Sequence, residues 1–207
     1  MRLIERLASF NRKERFYLIG WALGNQQFTL SSSFRQELGE VLGLSIPVDA
    51  YAAMDYHLDW IYASLFLSAE SARSGPYENQ GQIGATQEDV DLLVAFELAD
   101  QTHLVMLEAK GATGWTNAQL AHKAGRLRAI FAEDGRTWEL VTRHFIIASP
   151  APSAKLVCDT WPAWMTPKPQ GKPLWLQMPM PATLQRVTRC DPTGCASVSG
   201  KYWTVVP

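Results

Sequence analysis

Residues 88–111 read EDVDLLVAFELADQTHLVMLEAKG. Two apolar runs, Val90–Leu98 and His103–Lys110, flank Asp100-Gln101, and Gly111 closes the second. Short apolar runs joined by a tight turn predict two antiparallel strands of a buried sheet. Side chains on a strand alternate between its faces. Met106, Glu108 and Lys110 therefore share one face, and Val105, Leu107 and Ala109 the other. An acid and a lysine emerge side by side at the end of an otherwise apolar strand, where burial is costly unless they pair or bind something. The hairpin carries Asp91, at the start of the first run, toward Glu108. The stretch thus predicts two carboxylates and one ammonium at one place on a sheet.

Downstream, Thr116 to Ala132 predicts a helix with Leu120, Ala124, Leu127 and Phe131 as its core stripe. Asp134-Gly135 stops it, and Leu140–Ala148 predicts another strand. A helix between two strands is the crossover of a parallel pair. Upstream, Pro47 breaks the chain and Asp49 is placed to cap a long helix reaching about Ala72. Met54, Leu58, Ile61 and Leu65 would form its buried stripe; Asp55, Asp59, Tyr62, Phe66 and Glu70 form a second stripe whose acids would face a site. Residues 1–45 predict helices, with Leu3, Ile4 and Leu7 as one stripe, Phe16, Ile19 and Leu23 as another, and Ser33 with Gln36 as a capping box. Residues 74–88, rich in Gly, Gln and Asn, predict a loop or hairpin. Eight of the 12 prolines fall between Pro150 and Pro181, which predicts an extended wrap. Leu184–Val206 then predicts a β-hairpin, with Asp191-Pro192-Thr193-Gly194 as a type I turn. The expected organisation is a helical segment over 1–48, a core over 49–149, and a C-terminal wrap and hairpin over 150–207 within the same domain.

Two carboxylates and a lysine suit phosphodiester hydrolysis. Hard oxygen ligands hold Mg²⁺, which keeps several waters and takes other oxygens from substrate phosphate. A nearby lysine orients the attacking water or stabilises the anion. VDLL…LEAK resembles the PD-(D/E)XK signature of the restriction-endonuclease-like nucleases, with Val90 where that family usually has Pro. Gln119 and Lys123 match a Q-x-x-x-K motif on the following helix, as in lambda-exonuclease and RecB-nuclease-type members. The resemblance covers about residues 50–150. It implies an α/β fold with an α-β-β-β-α-β core, a mixed central sheet flanked by helices. It further implies a DNA-cleaving hydrolase using Mg²⁺ or Mn²⁺. Asp91, Glu108, the Ala109 backbone carbonyl and Glu70 would be the metal ligands, with Asp59 behind Glu70. Lys110, Gln119 and Lys123 would complete the catalytic group. Neutralising either carboxylate is expected to cost the fold little, because two carboxylates held close repel each other.

Each residue also has a plainer reading. Glu108 and Lys110 would make a salt bridge at a sheet edge, Asp91 would cap a turn, and Gln119 would bond back to Thr116 as a capping partner. A non-catalytic nucleic-acid-binding or assembly protein on the same fold is the alternative function. The net charge of −1 over 207 residues gives no global attraction to nucleic acid, so any positive surface is local. Arg12-Lys13-Arg15, Lys123-Arg126-Arg128 and Lys168-Lys172 are the available basic clusters. The three cysteines are too few for a disulfide framework, and Cys190 and Cys195 read as reduced thiols flanking the turn. His57, His103, His122 and His144 show no metal-ligand spacing, and Trp161, Trp164, Trp175 and Trp203 read as packing residues before base-stacking ones. The charged N-terminus lacks a signal-peptide core and no apolar run spans a bilayer, so a cytoplasmic protein without a membrane partner is expected. The sequence leaves the oligomeric state open, a homodimer included.

Overall fold

The computed structural model describes residues 2–69, 75–79, 81–84, 88–111, 115–169 and 171–206. Three helices, α1 (Leu3–Phe10), α2 (Glu14–Ala22) and α3 (Ser32–Leu42), precede strand β1 (Tyr51–His57) and helix α4 (Leu58–Ala69). Strands β2 (Asp89–Leu98) and β3 (Gln101–Ala109), helix α5 (Asn117–Phe131) and strand β4 (Val141–Ser149) follow. A 3₁₀ turn at Ala163–Met165 leads to β5 (Leu174–Gln177), β6 (Arg186–Cys190) and β7 (Tyr202–Val206). Contacts group residues 1–177 into one compact unit and 178–207 into another, so the expected wrap divides at Gln177.

The first unit is a mixed α/β structure around a five-stranded sheet ordered β1-β2-β3-β4-β5. The β1–β2 and β2–β3 pairs are antiparallel, whereas β3–β4 and β4–β5 are parallel. The β2–β3 turn is Ala99-Asp100, both at positive φ (50° and 59°), as a two-residue hairpin with the native twist requires. Helix α5 makes the crossover between the parallel strands β3 and β4. Its buried stripe of Leu120, Ala124, Leu127, Ile130 and Phe131 joins Leu93, Leu104, Met106 and Phe145 of the sheet in one core.

Four sequence expectations are corrected. Residues 50–72 are not one helix: Tyr51–His57 is an edge strand, paired with β2 from Tyr51↔Ala95 to His57↔Asp89, and only Leu58–Ala69 is helical. Ala52, Ala53 and Met54 favour helix locally, but the partner strand and two flanking tyrosines suit a sheet, and tertiary context overrides propensity. Helix α3 is capped by Ser31, whose Oγ accepts from the Phe34 amide at 3.2 Å, and not by Ser33. Leu23 is 76% exposed and so leaves the Phe16 stripe. Within the Pro-rich stretch, Leu174–Gln177 pairs in parallel with β4, adding a fifth strand where an extended wrap was expected.

In the second unit β6 and β7 pair antiparallel, from Arg186↔Val206 to Cys190↔Tyr202. The expected turn is present, with the Gly194 amide donating to the Asp191 carbonyl at 3.1 Å. Cys158, Cys190 and Cys195 are free thiols.

Candidate active site

The β2–β3 ladder runs from Leu98↔Gln101 to Leu92↔Leu107; one further step sets Asp91 opposite Glu108. The β1–β2 ladder pairs Met54 with Leu92 and Tyr56 with Val90, so Asp55 falls opposite Asp91. Three acids on three consecutive strands thus form one row across the sheet. Asp55 is the member that sequence reasoning missed as part of this row, having placed it on a helix. It stands at φ 49°, a left-handed conformation that Asp tolerates better than most residues. Its Oδ2 lies 2.7 Å from Arg15 Nη2, which draws this acid toward the α1–α2 side.

Asp91 is held by the backbone of the neighbouring strand: the Ala109 amide donates to its Oδ2 at 2.6 Å. Glu108 is 2% exposed, and Lys123, reaching it from α5, is 4% exposed. The Lys123 ammonium donates to Glu108 Oε2 and to the Asp89 carbonyl, the latter at 2.6 Å. Burial pushes the Glu108 carboxyl above its ordinary range; Lys123 opposes this and the Asp91 charge adds to it. Lys110 lies one residue past β3, continuing the parallel pattern through its amide bond to the Ala148 carbonyl at 2.9 Å. Its ammonium is near enough to favour ionisation of Glu108.

Around this centre the charges pair off. Lys13 Nζ lies 3.1 Å from Asp89 Oδ2, and His122 pairs with Glu88. Asp59, in the first turn of α4, accepts from Arg126 at 2.8 Å and from the Gly84 amide at 3.0 Å, while Arg126 also donates to the Gln82 carbonyl. Asp59 and Arg126 therefore fix the loop after α4 against α5. Gln119 is exposed and bonds the Thr116 hydroxyl at 3.3 Å, so only Lys123 of that pair meets Glu108. Glu70 lies outside the described residues.

Among the described residues no group of three His, Cys, Asp or Glu side chains converges as a ready metal cage. The donor set nonetheless fits a hydrated Mg²⁺. That ion is commonly held by one or two carboxylates, with waters and substrate phosphate completing the shell. One oxygen each of Asp91 and Glu108 is engaged, by the Ala109 amide and the Lys123 ammonium.

Away from this site, His103 Nδ1 and His144 Nε2 lie 3.0 Å apart on the opposite face of the sheet, with Phe96 stacked on His103. The two histidines stand 41 residues apart in sequence, and no local pattern announces them. Trp161 is buried, and Trp164 and Trp175 pack against the core. Among the described residues no helix is long and apolar enough to cross a membrane.

The chain matches no protein-family model, no curated protein and no solved structure.

Proposed function

We propose that this chain is a metal-dependent nuclease on a restriction-endonuclease-like fold, hydrolysing phosphodiester bonds of DNA. The observation that carries this reading is the juxtaposition of Asp91 and Glu108 on adjacent strands, beside two lysines. Asp91, Glu108 and the Ala109 carbonyl are the groups to hold Mg²⁺ or Mn²⁺. Bound there, the ion would polarise the phosphate and acidify water. The chain's own contribution is positioning. The Ala109 amide fixes Asp91, and Lys123 fixes Glu108 while offsetting its charge. Lys110, only half-buried, is free to orient water or a phosphate oxygen at the open side. Arg15 and Lys13 rim the same end of the sheet and would meet the flanking phosphates.

One observation favours a second reading, a nucleic-acid-binding protein without catalysis: Glu108 is nearly sealed and already neutralised by Lys123. The two readings separate in a cleavage assay on single- and double-stranded DNA with Mg²⁺, Mn²⁺ or a chelator. The nuclease reading expects cutting with metal and none with chelator. Binding without cutting under every condition favours the second reading.

A further inference from the structure

The second unit, residues 178–207, carries a surface that the candidate active site does not use. Its strands pair Val187 with Val205 and Arg189 with Trp203. Side chains two apart on a strand share a face, so these four lie together on one side of the hairpin. All four are exposed, Trp203 at 70%. The opposite side is the covered one. There Cys190 is buried and Thr188, Thr204 and Val206 are half-buried, while the end residues Arg186 and Tyr202 are exposed. Trp203 therefore departs from the packing role expected of it and stands in the open beside two valines and an arginine. A two-stranded hairpin is marginal by itself, and a partner that covered this apolar face would stabilise it.

The charges of the unit say which partner fits. It holds three basic side chains, Arg186, Arg189 and Lys201, against one acid, Asp191, in a chain whose net charge is −1. That acid is taken up inside the turn. Its Oδ1 accepts from the Thr193 amide at 2.8 Å, the Thr193 hydroxyl at 2.7 Å and the Cys195 amide at 3.0 Å. Among the described residues none of the three cations forms an ion pair. The Arg189 side chain is restrained by one bond, from Nη1 to the Val198 carbonyl at 3.1 Å, which leaves most of its N–H groups for a ligand. A second copy of this chain fits poorly, because stacking two such units joins two positive surfaces with no free acid to offset them. A polyanion with flat rings fits both the aromatic and the basic side chains. An exposed indole stacks on an unpaired base of any kind, and guanidinium groups beside it meet the backbone phosphates.

We propose that the exposed face of the C-terminal hairpin binds single-stranded nucleic acid, with Trp203 stacking on an unpaired base and Arg189 contacting a neighbouring phosphate. The surface is defined by the second unit alone and does not depend on cleavage at Asp91 and Glu108.

The test is equilibrium binding of a labelled twelve-nucleotide oligo-dT, and of a duplex of the same length, to the full chain by fluorescence anisotropy, with chelator present so that nothing is cut. Wild type is expected to bind the single strand several-fold tighter than the duplex, whose bases are already stacked. Trp203→Leu keeps an apolar side chain but loses the ring, and is expected to weaken single-strand binding roughly tenfold. Trp203→Phe retains a ring and is expected to keep most of the affinity. Arg189→Ala is expected to weaken binding and to lower the slope of log affinity on log salt by about 0.7. All three positions are exposed or lie on the exposed face, and thermal melts confirm that the variants fold. Wild-type affinity in Trp203→Leu, or no binding of the single strand by wild type, overturns the proposal. A wild-type dimer in sedimentation that Trp203→Leu converts to monomer would make a second copy the occupant and overturn it as well. Either failure leaves the nuclease reading to the cleavage assay, which does not involve the hairpin.

Discussion

Lys123 on α5 and Glu108 on β3 meet as a buried ion pair, with both side chains almost wholly removed from solvent. The pair links the crossover helix to the strand that carries the candidate active site. It also changes what neutralising Glu108 should do. Glu108→Gln relieves repulsion from Asp91, but it leaves the Lys123 ammonium buried with only the Asp89 carbonyl and an amide as partners.

Removing one member of a buried pair costs about 3 kcal/mol or more, because the other charge stays behind. Glu108→Gln and Lys123→Met are each expected to destabilise the protein by about that much. The double variant should cost less than the sum by over about 1 kcal/mol. Urea denaturation of the four proteins measures the coupling. Additive losses would show that the two side chains do not interact.

The histidine pair gives a pH dependence with a defined sign. Burial first, then the neighbouring His103 and Arg143, lowers His144 to about 4, and burial lowers His103. A base whose pKa is depressed by folding binds fewer protons folded than unfolded. Its contribution is full above pH 6.5 and is lost as pH falls toward 4. The shift corresponds to at most about 3 kcal/mol for His144. Thermal melts from pH 7.5 to 4 should show a decline that His144→Gln flattens. An unchanged profile in the variant would assign the acid sensitivity to other groups.

Gly39 sits in α3 where the chain returns after the helix. A Cβ at this position would lie 2.6 Å from the Leu44 carbonyl oxygen, a backbone atom that cannot swing aside. Gly39→Ala is expected to destabilise by about 2 kcal/mol, despite the better helix propensity of Ala. Gly43→Ala, at φ 68° with open space around its Cβ, is expected to cost only about 1 kcal/mol of left-handed strain. Equal costs for the two would remove the Leu44 clash as the cause.

What could be read from the sequence follows the range of the forces involved. Strands β2 and β3 announce themselves because continuous apolar runs are local properties, although the turn expected at Asp100-Gln101 falls one residue earlier, at Ala99-Asp100. Lys123 was legible through its spacing from Gln119, but the companion was not, because Gln119 bonds locally to Thr116. Strand β1 was hidden: Ala52, Ala53 and Met54 suit a helix until β2 is present to pair with them. With β1 misread, Asp55 could not be set in the row with Asp91 and Glu108. The fifth strand and the His103–His144 pair depend on partners far along the chain, which no window of sequence contains.

The most direct test of the nuclease proposal is a single-turnover cleavage assay on DNA with Mg²⁺. It compares wild type with Asp91→Asn, Glu108→Gln and Lys110→Ala, each shown folded by its thermal melt. The account predicts that wild type cuts. Asp91→Asn and Glu108→Gln should lose more than about a hundredfold in rate together with metal affinity, and Lys110→Ala should bind metal normally but cut slowly. Cleavage by Glu108→Gln at the wild-type rate would contradict the account, because the nuclease activity would then reside elsewhere than beside Asp91 and Glu108.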